Sequence, residues 1–256
     1  PNTTPESLDL YRLLSDMVDA KCSLCVMEVS SHALFLNRVE GLDFNAAIFT
    51  NLSEDHLDFH SDMDDYLNAK LLILDSLKKS QKDKTIILIN HDSHVFSSFE
   101  NGAKKNNLNY KTYGLKISSD YYAKDIEINI NSNIFNVVFN KGKVNLRLSM
   151  LGEFNIYNSL GVIGVMDFLG YNVSDIKDGL EKVSVPGRFQ QVKTKLPFTV
   201  IIDYAHTDDA LINVLNTIKG LNPTRIINVF GCGGDRETGK RFLMGEVSTK
   251  LADLTI

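Results

Sequence analysis

Short apolar runs alternate with amphipathic helical segments in the first third of the chain, and this alternation constrains the fold most. Leu24–Val29, Ala46–Thr50 and Thr85–Ile89 have the length and apolar content of buried strands. Helical patterns at His32–Val39 and Asp64–Leu77 separate them. Strands that alternate with helices pair in parallel, because each helix carries the chain back across the sheet. The sequence therefore predicts an α/β fold with a central parallel sheet.

The middle of the chain has a different pattern. Ile126–Ile130, Ile134–Phe139 and Val144–Leu148 are short β-type runs, and Asn140-Lys141-Gly142 between the last two is typical of a hairpin turn. We therefore expect a small antiparallel appendage on the parallel sheet.

The C-terminal third returns to alternating elements. A helix is predicted over Phe154–Leu169, where Gly161 and Gly164 permit close packing, and Pro186-Gly187 marks a domain boundary. Residues 1–185 then form a central ATPase-type domain, and residues 186–256 form a truncated Rossmann-like domain. One more helix, Val173–Val183, is predicted before the boundary. After it, the predicted strands are Thr199–Tyr204 and Arg225–Phe230, and the predicted helices are Asp208–Lys219 and Gly239–Leu251.

Composition excludes several classes of protein. The formal charge of −5 over 256 residues gives no basic footprint for nucleic acid. No apolar run approaches the roughly 18 to 20 residues of a membrane span, so we expect a cytoplasmic chain without membrane insertion. Three cysteines do not make a disulfide framework, and Cys22 and Cys25 are interpreted as buried strand thiols.

Acidic and histidine side chains follow two of the predicted strands. Glu28 ends the first strand, and His56 and Asp58 come shortly after the second. Carboxylate and imidazole groups at the ends of parallel strands suit Mg²⁺ or Mn²⁺ beside phosphates. A capping cluster, in which Ser53 or Asp55 begins a helix, accounts for the same residues. Spacing alone leaves both interpretations open.

Two further segments carry candidate anion contacts. Gly231–Lys240 is a glycine-rich turn between a strand and a helix, with a spacing close to that of a P-loop, but Arg241 stands where a P-loop has Ser or Thr. Asp203 and His206 lie at the C-terminal end of another predicted strand, and they fit either ligand contacts or a satisfied core histidine. Lys70 lies on a helical stripe, and by pattern alone it is an ordinary solvated lysine.

Read together and in order, these motifs resemble the Mur ligases, and the resemblance covers nearly the whole chain. The matching segments are Asn2–Pro5, Met27–Leu34, Arg38-Val39, Phe49–Ser53, Asp55–Asp58, Ala69-Lys70, Gly152–Asn158, Pro186–Arg188, Asp203–Thr207 and Phe230–Arg236.

The resemblance implies an ATP-dependent, ADP-forming ligase of peptidoglycan synthesis. It adds the third amino acid to UDP-N-acetylmuramoyl-L-alanyl-D-glutamate through an acyl phosphate. The implied partners are that UDP-linked dipeptide, ATP and an amino acid whose identity the sequence does not specify, and the expected state is a monomer. Two alternatives stay open: another ligase of the superfamily, such as folylpolyglutamate synthase, or a nucleotide-binding module without catalysis.

The resemblance also assigns roles by position. Glu28 and His56 match Mg²⁺ ligands, and Lys70 matches a lysine that CO₂ converts to a carbamate, which then acts as a third ligand. The matches to dipeptide-binding residues are Thr3, Thr4, Ser30 and Arg38. Asn155 matches an adenine contact, and the other nucleotide contacts are Arg188, Asp203 and His206. Arg236 matches a residue near the carboxylate of the incoming amino acid.

The sequence departs from the family pattern at several positions, among them Phe189, Asp208 and Phe242, and two departures bear on catalysis. Gln190 stands where a glutamate is usual, which puts any role of that carboxylate in doubt. No G-T-x-G-K-T phosphate loop occurs before Thr3. We therefore expect an internal fragment that is catalytically incomplete by itself.

Overall fold

The structure, a computed structural model, describes residues 3–192, 194–232 and 239–256. The helices in these ranges are α1 Ser7–Asp19, α2 Ser31–Phe35, α3 Met63–Lys79, α4 Phe96–Lys105, α5 Glu153–Phe168, α6 Val173–Lys182, α7 Asp208–Gly220 and α8 Gly239–Leu251. The strands are β1 Ala46–Phe49, β2 Ile86–Asn90, β3 Tyr110–Gly114, β4 Tyr121–Asn129, β5 Ser132–Phe139, β6 Gly142–Leu148, β7 Gln190–Val192, β8 Val200–Ile202, β9 Ile227–Asn228 and β10 Leu254–Thr255.

Strands β1 to β6 form one mixed sheet in chain order. β3 and β4 are parallel, whereas β4, β5 and β6 form antiparallel hairpins. The predicted α/β class and the predicted hairpins are confirmed. The hairpins extend the central sheet and do not stand apart from it, because the edge of β4 that faces away from β3 is paired with β5.

The chain divides into two compact units. One contains residues up to Ile87 together with His94–Tyr110, and the other contains Leu88–Ser93 and Lys111–Ile256. In the first unit a buried cluster forms around α1 and α2, with Met27 and Val29 packed against it. Its members are Leu10, Ala33, Leu34 and Val39.

The segment Leu24–Val29 is not a strand, so this prediction is wrong. Its residues keep the alternation of an extended chain, since Met27 and Val29 face the core while Leu24 and Val26 are exposed. A strand also needs a neighbour for its backbone groups. Here the carbonyl of Glu28 instead accepts a hydrogen bond from the hydroxyl of Thr4.

Other local predictions need correction as well. Cys22 and Cys25 are exposed, because the segment in which they lie is not a buried strand. The helix predicted over His32–Val39 ends at Phe35.

The second unit carries a further core at its C-terminal end. Leu211 and Leu215 of α7 pack with Ile226 and Met244, and the apolar side of α8 covers this cluster. β9 pairs in parallel with β10, as expected for the beginning of a second α/β layer. None of the described helices combines the length and the apolar character that a membrane span requires.

Candidate functional site

In the first unit, the hydroxyl of Thr4 links the candidate dipeptide-binding residues to the segment that carries Glu28. The Thr4 side chain is fully buried. Its hydroxyl donates to the carbonyl oxygen of Glu28 over 2.9 Å and accepts from the backbone N–H of Ser30 over 3.1 Å. The Thr4 hydroxyl therefore fixes two backbone groups just before α2, the carbonyl of Glu28 and the N–H of Ser30.

Ser30 and Arg38 lie beside Thr4. The Ser30 hydroxyl accepts from the N–H of Ala33 and caps α2. The Arg38 guanidinium donates to the carbonyl of Thr4 over 3.4 Å and forms a 2.7 Å ion pair with Glu6. Its Nε is buried and has no hydrogen-bond acceptor among the described residues. Thr3, the fourth predicted dipeptide contact, is exposed next to Thr4.

Lys70 is not the solvated lysine that its position on a helical stripe indicates. Its Nζ lies 5.0 Å from the centre of the Tyr66 ring, one turn earlier on α3. Burial lowers the pKa of Lys70, while the negative charges of Glu28 and Asp55 act in the opposite direction. The ammonium group of Lys70 thus lies in a half-buried position that two carboxylates make electronegative.

His56 reaches the same aromatic ring from another segment. Its ring centre is 5.8 Å from that of Tyr66, in edge-to-face geometry. The backbone of His56 has a φ of +60°, and its N–H donates to the Asp55 carboxylate over 2.8 Å. The structure therefore brings His56 and Lys70 to one ring, and it brings Glu28 and Lys70 into electrostatic contact.

A second group of side chains, which our sequence analysis did not single out, supports this arrangement. His60 is buried, its Nε2 lies 2.9 Å from the Ser31 hydroxyl, and its ring stacks on Tyr66 at 5.1 Å. His32 lies 4.9 Å from His56, measured between ring centres. The residues themselves were visible in the sequence as Ser31-His32 and His60, but their packing depends on tertiary contacts between α2 and α3.

The environment shifts the pKa of two of these rings. Burial and then the neighbouring His56 and His60 lower the pKa of His32, which keeps its imidazole neutral at pH 7. Burial, assisted by Asp55, raises the pKa of Tyr66 to about 12. Both rings are therefore neutral at pH 7.

The side chains around Lys70 fit a hard divalent cation in part. Glu28 and Asp55 offer carboxylate oxygens and His56 offers an imidazole nitrogen, a donor set that Mg²⁺ or Mn²⁺ accepts beside phosphate. Across the described parts of the chain, however, no three His, Cys, Asp or Glu side chains are grouped so that they could hold a metal ion. A complete metal site at this position therefore requires a further anionic ligand.

In the second unit, Asn155 lies in the first turn of α5. It is buried, its amide donates to the carbonyl of Leu151 over 2.8 Å, and its Oδ1 accepts from the amide of Asn158 over 3.3 Å. Gly152 precedes the helix with a φ of +92°, which glycine adopts without a steric penalty. The side chain of Asn155 is therefore held in one orientation by its own turn.

Asp203, Arg188 and His206 form a second polar group in this unit. The Asp203 carboxylate accepts from the N–H groups of Phe189 and Ala205, over 2.7 and 2.8 Å. The Arg188 guanidinium lies 4.6 Å from the centre of the Tyr204 ring, and His206 Nδ1 lies 3.0 Å from the carbonyl of Tyr204. Asp203 therefore stabilises the backbone directly after Arg188 and directly before His206.

Packing within this unit brings these two groups of residues close together. Leu151, Phe189 and Val214 form a buried cluster, with Phe154 and Ala205 packed against it. The rings of Phe154 and Phe189 are 6.2 Å apart. Asn155 directly follows Phe154, and Arg188 directly precedes Phe189, so the predicted nucleotide contacts surround one apolar cluster.

Of the remaining sequence features, Gln190 lies within the described residues and Arg236 does not. Arg236 and most of the glycine-rich segment Gly231–Lys240 lie outside the described residues. Gln190, which replaces the usual glutamate, accepts a 2.8 Å hydrogen bond from the N–H of Gly187 through its Oε1. An amide oxygen serves this purpose as a carboxylate oxygen would.

Comparison with known proteins shows which family has these features. A model of the Mur ligase middle domain matches residues 1–166, and a model of the Mur ligase glutamate ligase domain matches residues 187–256. The chain belongs to the Mur ligase family. It is 44% identical over 257 residues to the UDP-N-acetylmuramoyl-L-alanyl-D-glutamate--2,6-diaminopimelate ligase of Clostridium botulinum, covering 99% of this chain and 51% of that protein. The same-named ligase of Caldanaerobacter subterraneus is 43% identical over 255 residues, with 100% and 51% covered.

Solved structures agree with this membership. A structure of a UDP-N-acetylmuramoyl-L-alanyl-D-glutamate--2,6-diaminopimelate ligase matches with a TM-score of 0.77 and 31% identity, covering 100% of this chain and 53% of the other. A folylpolyglutamate synthase of Mycobacterium tuberculosis shares the fold, with a TM-score of 0.62 at 18% identity over 74% of this chain and 42% of the other. The Mur ligase chain described here thus spans about half the length of the curated relatives that it matches.

Proposed function

We propose that the protein containing this chain is an ATP-dependent, ADP-forming ligase. It adds the third amino acid to UDP-N-acetylmuramoyl-L-alanyl-D-glutamate in peptidoglycan synthesis. Residues 1–185 belong to its central domain, and residues 186–256 belong to part of its C-terminal domain. The names of the relatives support 2,6-diaminopimelate as the amino acid that is added.

The observation that carries the proposal is the environment of Lys70. A half-buried lysine over the Tyr66 ring, in the field of Glu28 and Asp55, has a lowered pKa because of burial. A neutral amine is the form that reacts with CO₂. The carbamate that results is an anion, so it supplies the further ligand that Glu28 and His56 lack.

The proposed chemistry needs neutralisation of charge and positioning. A carboxylate of the dipeptide attacks the γ-phosphorus of ATP, which forms an acyl phosphate and releases ADP. The amine of the incoming amino acid then attacks the acyl carbon, loses a proton and expels phosphate, leaving an amide. Glu28, His56 and carboxylated Lys70 would hold Mg²⁺, which would supply the positive charge that neutralises the crowded phosphate oxygens.

The other residues provide binding. Thr4 and Ser30 order the backbone beside Glu28, and the buried Arg38 Nε offers an unused donor to an anionic group of the dipeptide. Thr3 adds an exposed hydroxyl at the same place. Asn155, Arg188, Asp203 and His206 serve ATP, and Arg236 serves the carboxylate of the incoming amino acid.

The test is substrate-dependent release of ADP by the complete protein that carries this chain. We expect ADP only when the UDP-linked dipeptide and 2,6-diaminopimelate are both present. A matched reaction with lysine in place of diaminopimelate tests the choice of amino acid. Release of ADP with a folate and glutamate instead would assign the chain to folylpolyglutamate synthesis, and binding of ATP without turnover under any condition would show a nucleotide-binding module.

A further inference from the structure

The carboxylate of Asp92 forms a polar junction in the second unit that none of the roles above uses. Asp92 follows β2 by two residues, and its side chain is 16% exposed. Its Oδ2 accepts from the N–H of Leu115 over 2.6 Å and from the hydroxyl of Tyr157 over 3.0 Å. Lys116 Nζ lies 3.3 Å from the other oxygen. One carboxylate thus ties the loop after β3 to α5.

The backbone around this carboxylate is shaped to admit it. A Cβ atom on Gly114 would lie 2.5 Å from Asp92 Oδ2, which is closer than real contacts allow. The Asp92 N–H also donates to the side chain of Asn90 over 3.0 Å. Glycine at position 114 and the turn after β2 therefore both serve to bring the carboxylate to Tyr157.

Tyr157 occupies a telling position on α5, because it lies two residues after Asn155. Successive residues of an α-helix are rotated by about 100°, so these two side chains leave the helix on nearly opposite sides. A hydrogen bond that fixes Tyr157 on one side therefore fixes the rotation of the first turn. That rotation determines where Asn155 is presented on the other side.

We propose that Asp92 is a positioning residue for nucleotide binding: by holding the Tyr157 hydroxyl, it sets the orientation of the turn of α5 that presents Asn155. The inference rests on the proposed function, in which Asn155 contacts ATP. Charge strengthens the bond. Burial alone would raise the pKa of Asp92, but the hydrogen bonds from Leu115 and Tyr157 and the positive charge of Lys116 lower it below its ordinary value, so the acceptor is an anion at pH 7.

The chain offers a matched control on the same helix. The hydroxyl of Tyr121 donates to Asp167 near the C-terminal end of α5 over 2.7 Å. Tyr157→Phe and Tyr121→Phe each remove one phenolic hydroxyl that donates to an aspartate. Each of the two lost hydrogen bonds anchors α5. They differ in distance from Asn155, which is two residues from Tyr157 and twelve from Asp167.

The experiment compares steady-state kinetics of the two variants in the complete protein. We expect Tyr157→Phe to raise the KM for ATP about tenfold, which corresponds to about 1.4 kcal/mol of binding free energy. The kcat and the KM for the dipeptide should change less than about twofold, and Tyr121→Phe should leave all three constants within the same limit. Urea unfolding of both variants shows whether their loss of stability is comparable.

Two further variants test the carboxylate itself. Asp92→Asn keeps an oxygen that accepts from Tyr157, so its KM for ATP should rise less than that of Asp92→Ala. Gly114→Ala displaces the carboxylate without changing it, and it should raise the same constant.

Asn155→Ala distinguishes failure of the positioning role of Asp92 from failure of the nucleotide contact assigned to Asn155. If Asn155→Ala raises the KM for ATP while Tyr157→Phe has no more effect than Tyr121→Phe, the positioning role of Asp92 is wrong and the proposed function stands. If Asn155→Ala leaves that KM unchanged, the nucleotide contact assigned under the proposed function is wrong and the inference falls with it.

Discussion

At the scale of single residues, Lys70 shows how tertiary structure changes the chemistry of a side chain. A lysine on a helical stripe is ordinarily solvated and cationic. Here, burial lowers the pKa of Lys70, while the Glu28 and Asp55 carboxylates act in the opposite direction, and the Nζ lies 5.0 Å from the centre of the Tyr66 ring. Under the proposed function, the lowered pKa matters because the neutral amine is the form that reacts with CO₂ to give the carbamate.

Replacement of Lys70 tests this role. We expect Lys70→Ala to reduce the turnover of the complete protein by at least about a hundredfold, because the charge at the phosphate centre is no longer balanced. Acetate should restore part of the activity, since a small carboxylate fits where the carbamate was. Steady-state ADP release with and without acetate measures both effects.

The control for this prediction is Lys78→Ala on the same helix, where the lysine is exposed and donates a hydrogen bond to Asn106. Its turnover should equal that of the unmodified sequence. Normal turnover of Lys70→Ala without added carboxylate would refute the carbamate role.

Gln190 allows a second prediction at this scale. Its Oε1 accepts from the N–H of Gly187, whose φ is +72°. Gln190→Glu keeps an acceptor, so the free energy of unfolding should change by less than about 0.5 kcal/mol. Gln190→Ala removes it and should cost about 1 kcal/mol. Urea unfolding of both variants decides, and an equal loss in the two would show that the hydrogen bond contributes nothing.

At the scale of secondary-structure elements, the contact between α5 and β2 depends on a missing side chain. A Cβ on Gly164 would lie 2.5 Å from Leu88 Cδ1 and 3.0 Å from Leu88 Cγ, while all five residues of β2 are buried. The helix therefore packs on the strand at a distance that only glycine permits at this position.

Substitution of two helical glycines tests this close contact. Gly164→Ala should destabilise the chain by about 1–3 kcal/mol through overpacking. Gly179→Ala on α6 has open space around the new methyl group and should stabilise by about 0.5–1 kcal/mol through helix propensity. Thermal or urea unfolding gives both values, and stabilisation by Gly164→Ala would contradict the packing described.

The crossing from β3 to β4 depends on Asp120, and this makes stability depend on pH. Its carboxylate accepts from Lys111 Nζ at 2.6 Å and from the N–H and hydroxyl of Thr112 at 2.8 and 2.9 Å. Burial alone would raise the pKa of Asp120, but these bonds lower it below its ordinary value. The folded state therefore gains stability above the pKa of the unfolded chain and loses it as pH falls through the lower folded value.

Asp120→Asn should accordingly cost about 1–2 kcal/mol of unfolding free energy at pH 7. The difference should shrink only as the pH falls below about 4, the ordinary pKa of an aspartate. Urea unfolding across this range measures it, with Asp178→Asn in an exposed ion pair with Lys182 as the control. A difference that stays constant down to acid pH would mean that the charge of Asp120 has no part in it.

The elements that carry their own periodicity could be predicted from the sequence, and those that depend on a neighbour could not. Helices α3 and α5 and the hairpins have strong local patterns, and they form within a few residues of the expected bounds. Leu24–Val29 has the composition of a strand, but no strand of the described chain pairs with it.

The site shows the same division. The residue types of Glu28 and His56 fitted either a metal site or a capping cluster, and the pattern around Lys70 indicated an ordinary surface charge. What the sequence does not show is the Tyr66 ring that His56 and Lys70 both approach, since that depends on how the segment around His56 meets α3.

At the scale of the whole molecule, the two proposed tasks belong to two sets of residues, each assembled within one compact unit. Glu28, His56 and Lys70 belong to the first unit, with the dipeptide contacts beside them. Asn155, Arg188, Asp203 and His206 belong to the second, around the Phe154 and Phe189 rings. The central claim is that the first set binds the metal that serves phosphoryl transfer.

The most direct measurement is a crystal structure of the complete protein with ADP and Mn²⁺, with the metal located by its anomalous scattering. We expect manganese bound by Glu28 and His56, with Lys70 carboxylated and serving as a further ligand. Manganese bound away from Glu28 and His56, with an unmodified Lys70, would contradict it.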